Sequence, residues 1–398
     1  SQTTQTKQMI TPTDTLTPTL LHRFDEMRPY DDSELPAAMR RITDNVSFPM
    51  LAKFIYPDES IDTVRQRLLG YTSVRDFQHE TMIEMNHRIV ESCTDGLIYN
   101  GTGYLDPAKA YLYVSNHRDI MLDSSLLQMV LVENGFETTQ ITFGANLMMT
   151  PLIVDIGKCN RMFKVERPGR NVREFYRHSM LLSEYIRHTL TVGHESVWIA
   201  QRNGRTKDGD DRTDQGIIKM FCMSNDADKV KSINELNIVP VAVSYEWETC
   251  DILKTLELYQ SRFSRYTKKP FEDLTSILTG VCQDKGRVNI EICEPLGDVE
   301  VAGMEGLTAG EFHKRIASVI ARRIHRAYRL FPNNYIAYDI RYGTARFSGK
   351  YSQTQREAFL ARVHRLAEYD TCDYDQLVDI FLGIYANPVD NKLKAETD

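Results

Sequence analysis

The chain has 398 residues, 42% of them apolar and 26% charged, which suits two or three globular domains and excludes collagen, low-complexity and wholly disordered protein. A formal net charge of −7 excludes nucleic-acid binding by bulk electrostatics, so any anion site must come from a local basic patch. Seven scattered cysteines with no C-x-x-C pair argue against a disulfide scaffold and a Cys-rich zinc site, and for a reducing compartment.

Residues 1–17 are Thr-rich and aperiodic, and are expected to form a disordered tail. Residues 18–95 read as an N-terminal helical domain, its short helices punctuated by Pro29, Pro36, Pro49 and Pro57. Between 96 and 300 the texture changes. Strand candidates at 111–114, 141–143, 197–199, 238–243 and 288–292 alternate with helical stretches at 124–133, 172–190 and 216–223. That alternation predicts an α/β domain with a mostly parallel central sheet flanked by helices. Residues 301–398 read as a C-terminal helical extension: Phe312, Ile316, Val319, Ile320, Ile324 and Tyr328 keep a helical period, and further helices are expected at 353–368 and 374–386. No apolar run reaches the roughly 18 to 20 residues of a membrane span, and the N-terminus lacks a secretory signature. A cytoplasmic protein is expected, one that touches a membrane only at its surface.

The sharpest chemical signal is the run from Val114 to Asp123, VSNHRDIMLD. A buried strand enters a polar turn that carries His117 with Asp119 and Asp123 to the carboxyl end of the strand, the edge where open α/β sheets bind ligands. Histidine is the natural general base near neutral pH, and a carboxylate can fix its tautomer. The competing reading is a helix-capping turn with an exposed histidine. A kinase catalytic loop is excluded because Ser124 stands where that motif needs Asn. A metal site on His117, Asp119 and Asp123 lacks a second ligand cluster.

Two further segments stand out. Lys158, Arg161, Lys164, Arg167, Arg170, Arg173 and Arg177 form a basic ladder against only Glu166 and Glu174, opposite in sign to the whole chain. Spacing near three keeps several of them on one face wherever the segment is helical. The strand candidate 197–199 feeds sixteen residues, Gln201 to Gly216, without an apolar side chain. Its glycines and arginines suit a phosphate cradle, and equally any long surface loop.

In this order the segments resemble the glycerolipid acyltransferases, the family of glycerol-3-phosphate and 1-acylglycerol-3-phosphate acyltransferases. Asn116-His117 followed by Asp123 resembles the family's N-H-x-x-x-x-D, with an interval one residue longer that leaves Leu122 at the family's Asp position. Phe163-Lys164-Val165-Glu166-Arg167 resembles its second motif. Ala200-Gln201-Arg202-Asn203-Gly204-Arg205 stands where the family has F-P-E-G-T-R, without the carboxylate. Ile238-Val239-Pro240-Val241 resembles the fourth motif, and the strand ending at Glu294-Pro295 closes a match over roughly 110–297. The long N-terminal helical region is more like the soluble plant glycerol-3-phosphate acyltransferases. The whole-length pattern, with Met27-Arg28-Pro29-Tyr30 and the run from Leu330 to Tyr335, resembles a subgroup associated with Bacteroidetes.

The resemblance implies direct transfer of an acyl group from acyl-ACP or acyl-CoA to the hydroxyl of a lysoglycerophosphate such as 1-acylglycerol-3-phosphate, without a cofactor or metal. His117 would be the base, oriented by Asp123 or Asp119. Arg167, Arg202, Asn203, Gly204, Arg205 and Lys164 would hold the acceptor. The alternatives are O-acylation of a lyso-aminolipid, or a catalytically inactive lipid- or acyl-carrier-binding protein of the same fold. Contact with an anionic membrane is expected through the basic ladder together with Phe48, Met50, Leu51, Phe54 and Ile55, against the competing reading that these residues, Phe48 and Leu51 above all, form the core of the helical domain.

Overall fold

The computed structural model describes residues 22–270 and 272–397, so the expected tail at 1–17 lies outside the described residues. The chain opens with helices α1 (Leu35–Asp44), α2 (Phe48–Ile55), α3 (Ile61–Leu69) and α4 (Ile83–Cys93). Pro36 and Pro49 sit in the first turns of α1 and α2, where a missing N–H costs little. Leu35, Met39, Ile42, Phe48, Val64 and Leu68 turn inward to form the core of this layer.

A seven-stranded sheet follows: β1 (Leu97–Asn100), β2 (Leu112–Ser115), β3 (Thr139–Gly144), β4 (Met162–Val165), β5 (Ser196–Ala200), β6 (Ile238–Tyr245) and β7 (Val288–Ile292). Their order is β1-β7-β6-β2-β5-β3-β4, and only the β6–β7 pairing is antiparallel. The carboxyl ends of β2 to β6 therefore share one edge. Strand periodicity sorts side chains between two cores. Leu112, Val114, Val197, Ile199 and Ile238 face one side; Tyr113, Trp198, Val239, Val241, Val243 and Ile290 face the other.

The second face is covered by α5 (Leu122–Glu133), through Leu126, Leu127 and Val130, and by α4. Helix α6 (Pro151–Cys159) carries the N-terminal helices, with Leu152, Ile156 and Cys159 packed into their core. The first face is covered by α7 (Val172–Thr191) and α8 (Gln215–Met223). After β6 come α9 (Asp251–Ser261) and α10 (Glu272–Cys282). After β7, α11 (Ala309–Ala327) lays Phe312, Ile316, Ile320 and Ile324 on the first face. Helices α12 (Pro332–Tyr342), α13 (Gln353–His364) and α14 (Tyr374–Thr397) build a last core from Ile336, Phe359, Leu377, Phe381 and Tyr385, against Ile252 of α9.

The fold is thus α/β, with a mostly parallel sheet flanked by helices and further helices before and after it. Three expectations are corrected. Strands β1 and β4 were not anticipated; each is four residues long, and β4 includes Lys164 in the middle of the basic ladder. The ladder is helical only in part: Lys158 lies in the last turn of α6, Arg161 occupies a left-handed turn at φ 61°, Lys164 lies in β4, and only Arg173 and Arg177 are in α7. Helix α14 continues past 386 through Pro388. Pro388 leaves the Ile384 carbonyl without its usual helical donor, and Gly209 packs so close to that carbonyl that a Cβ would lie 2.1 Å from its oxygen.

Candidate active site

The site grows from the end of β2. Asn116 is fully buried, and its amide imitates a strand neighbour: Oδ1 accepts from Val243 N–H at 2.7 Å while Nδ2 donates to the Val243 carbonyl at 2.9 Å. This fixes where the chain leaves the sheet and turns. His117 follows, five residues before α5 begins, so the turn is wide enough for its ring to reach back to the helix.

Asp123, in the first turn of α5 and fully buried, receives four donors. Oδ2 lies 2.8 Å from His117 Nδ1 and accepts from the backbone N–H of Arg118 (2.6 Å) and Asp119 (3.0 Å); Oδ1 accepts from the Tyr245 hydroxyl at 2.7 Å. Burial, and next the Asp123 charge, push the Tyr245 phenol well above its ordinary pKa, so it stays a donor at any working pH. With Nδ1–H directed at the carboxylate, Nε2 of His117 presents a lone pair. The ring meets Trp198 edge-on, centroids 5.5 Å apart.

Asp119 does something else. Its Oδ2 accepts from the N–H groups of Met121 and Leu122, capping α5, and its Oδ1 is pressed against Gly280, where a Cβ would come within 2.1 Å. Of the two carboxylates left open by the sequence, Asp123 faces the imidazole. Among the described residues no three His, Cys, Asp or Glu side chains converge as a metal ligand set.

The polar loop after β5 is tied to this turn rather than loose. Gln201 N–H donates to the Ser115 carbonyl and Thr206 N–H to the His117 carbonyl, each at 2.8 Å. Beneath them Arg118, fully buried, spans Glu248 (3.0 Å), Asp211 (2.9 Å) and the Gly209 carbonyl (3.0 Å), and Lys254 bridges Glu248 and the Arg118 carbonyl. Two cations and two anions thus balance inside the protein, an arrangement whose disruption from one side is costly. From the far side Asn387 and Asn391 of α14 hold the Asp208 carbonyl and the Asp210 carboxylate.

Two cavities open at this edge, and His117, Arg167, Arg202, Asn203 and Gly204 line both. The smaller, of about 460 Å³, is lined by six basic side chains, Arg167, Arg202, Arg205, Lys207, Lys268 and Lys269, against four carboxylates, Asp208, Glu257, Glu272 and Asp273. Lys207 pairs with Glu257 and Lys268 with Asp273, whereas Arg202 and Arg205 form no ion pair among the described residues. The larger, of about 890 Å³, runs between apolar walls that include Phe143, Leu147, Leu182, Trp198, Ile217 and Met220. Arg167 donates to Asn146 Oδ1 at 2.9 Å and lies so near Gly204 that a Cβ there would be 3.4 Å from Nη1.

The structure therefore brings together His117, Asp123, Arg167, Arg202, Asn203, Gly204 and Arg205. It sets Asp119 aside as a cap. Lys164 reaches the larger cavity only, with its charge held by Glu166 at 3.0 Å and Glu26 at 3.4 Å. Sequence reasoning missed Tyr245, Trp198, Asn146 and Arg118. For Tyr245 the available signal was parity, since it shares a strand face with Val239, Val241 and Val243.

No known protein family matches the chain, and no curated protein matches it in sequence. Among solved structures it is similar to the 1-acyl-sn-glycerophosphate (LPA) acyltransferase PlsC from Thermotoga maritima, at 12% identity, over 74% of this chain and 94% of that one, with a TM-score of 0.38. At that level the likeness is a distant one of fold, and the functional reading rests on the site itself. Among the described residues no helix is long and apolar enough to cross a membrane.

Proposed function

We propose that the chain is an O-acyltransferase that moves a fatty acyl group from acyl-ACP or acyl-CoA to the hydroxyl of a lysoglycerophosphate such as 1-acylglycerol-3-phosphate, working at the cytoplasmic surface of a membrane. The observation that carries this reading is the position of His117, whose ring borders an apolar cavity and a cationic one at once. A thioester of a fatty acid and an anionic alcohol need those two surroundings, and they must meet at a base.

In this reading the alkyl chain occupies the larger cavity and the acceptor's phosphate is held by Arg167, Arg202 and Arg205 through charge-assisted hydrogen bonds. His117 Nε2 takes the proton of the acceptor hydroxyl as its oxygen attacks the thioester carbonyl. Asp123 holds Nδ1–H and stabilises the imidazolium. Collapse of the tetrahedral intermediate breaks the C–S bond, and the imidazolium returns its proton to the departing thiolate. The products are an ester and a thiol, so the transfer balances without a cofactor or an acyl-enzyme.

The test is product identification by mass spectrometry after incubating the purified protein with acyl-ACP or acyl-CoA and a set of lysolipids. The reading expects 1,2-diacylglycerol-3-phosphate from 1-acylglycerol-3-phosphate. Ester formed only on a carboxylate acceptor such as a hydroxyacyl-amino acid would replace the acceptor and keep the chemistry. No ester on any acceptor would remove the reading.

A further inference from the structure

Residues 167–177, sequence RPGRNVREFYR, are exposed without interruption as the chain leaves β4 and enters α7. Inside the protein, α7 packs with a stripe that includes Leu182, Ile186 and Leu190. The same stripe, followed back by steps of three and four residues, reaches Phe175 and Val172 after the core has ended. Val172 is 80% exposed, Tyr176 58% and Phe175 38%. All three also line the larger cavity, so the apolar wall continues outward to the surface. Arg170, Arg173 and Arg177 surround them. Arg170 and Arg173 form no ion pair among the described residues, and Arg177 meets Glu174 only at 3.9 Å.

We infer that this lip of the cavity docks on an anionic bilayer. Val172, Phe175 and Tyr176 enter the interface, while Arg170, Arg173 and Arg177 pair with headgroup phosphates. The inference rests on the proposed acyl transfer for the chemistry that the alkyl chain meets at His117. An acidic protein would answer the arginines. A lipid surface answers both features, because the exposed apolar trio leads into an apolar cavity and gives an alkyl chain a path from hydrocarbon to His117 that avoids water. The surface differs from the one expected from sequence. Phe48 is buried in the core of the N-terminal helices while Met50 and Phe54 stay exposed, and in the ladder Arg161 pairs with Glu195 and Lys164 with Glu166, whereas Lys158 donates to the Glu26 backbone carbonyl.

Sedimentation with phosphatidylcholine vesicles, with and without phosphatidylglycerol, reads the docking directly. The protein is expected to bind the anionic vesicles and to be released as salt rises. Arg170→Glu with Arg173→Glu should lower binding by at least about 25-fold, since each basic residue contributes about five-fold near an anionic surface. The same variant should keep its turnover on a short-chain, water-soluble acceptor. A tryptophan introduced by Val172→Trp should be quenched by brominated lipid. Equal binding to neutral and anionic vesicles, unchanged binding of the double variant, or an unquenched tryptophan protected instead by an acidic carrier protein would overturn the inference. If no form of the protein transfers acyl groups but the vesicle results hold, the docking stands and the proposed function falls. Turnover without vesicle binding has the opposite meaning.

Discussion

Asp123 and His117 meet at 2.8 Å although six residues of ideal helix would turn their side chains about 240° apart. They meet because only Asp123 is helical: His117 lies in the turn before α5, and Asp119, in the same turn, accepts the Met121 and Leu122 N–H groups where the helix begins. This division of labour ranks the two carboxylates. Asp123→Asn should lower kcat by about two to four orders of magnitude, because an amide cannot stabilise the imidazolium. Asp119→Asn should leave kcat within a few-fold, because an amide oxygen can accept the same N–H groups of Met121 and Leu122. Steady-state kinetics of the two folded variants decide it, and a larger loss in Asp119→Asn would reverse the assignment.

Tyr245 holds the far oxygen of the same carboxylate from β6. Tyr245→Phe leaves Asp123 Oδ1 buried with one donor fewer, a cost of about 1 to 3 kcal/mol in stability. With that tether gone, the carboxylate that orients the imidazole is held from one side only, so kcat should fall several-fold with KM little changed. An unchanged kcat, with stability alone reduced, would limit Tyr245 to packing.

Much of this site could be read from the chain, for physical reasons that differ by residue. The turn at His117 was legible because a buried strand breaking into consecutive polar residues is a local event. The choice between Asp119 and Asp123 was not, because it depends on where α5 starts to within one residue. The ladder from Lys158 to Arg177 imitated a helix face by spacing alone, but the chain there forms a turn, a strand and a loop before reaching α7. Arg118, Asp211, Glu248 and Lys254 neutralise one another across more than a hundred residues, a pairing that no local pattern records. Helix α14 runs on through Pro388, and the Ile384 carbonyl one turn earlier lies against Gly209.

That contact also makes α14 a support for the polar loop after β5. Asn387 and Asn391 hold the Asp208 carbonyl and the Asp210 side chain, each at about hydrogen-bond distance, on the segment that presents Arg202 and Arg205. Replacing both by Ala should cost about 1 kcal/mol per lost hydrogen bond. Its kinetic effect should fall on the acceptor, raising KM several-fold with kcat little changed. A fall in kcat at constant KM would show that the loop positions the base rather than the acceptor.

A second steric prediction concerns the back of the turn. Gly280 of α10 leaves no space for a methyl group beside Asp119 Oδ1. Gly280→Ala should therefore destabilise the protein by about 1 to 3 kcal/mol through overpacking, despite the better helix propensity of Ala. A rise in Tm would contradict the packing described for Asp119.

His117, where the two cavities meet, is the proposed base. Single-turnover acyl transfer by His117→Ala, with acyl-ACP or acyl-CoA and 1-acylglycerol-3-phosphate, tests it most directly, alongside thermal melting of the same sample. The expected rate is lower by about two to four orders of magnitude in a protein that binds both substrates and melts near the wild-type temperature. A well-folded variant that turns over at the wild-type rate would contradict it.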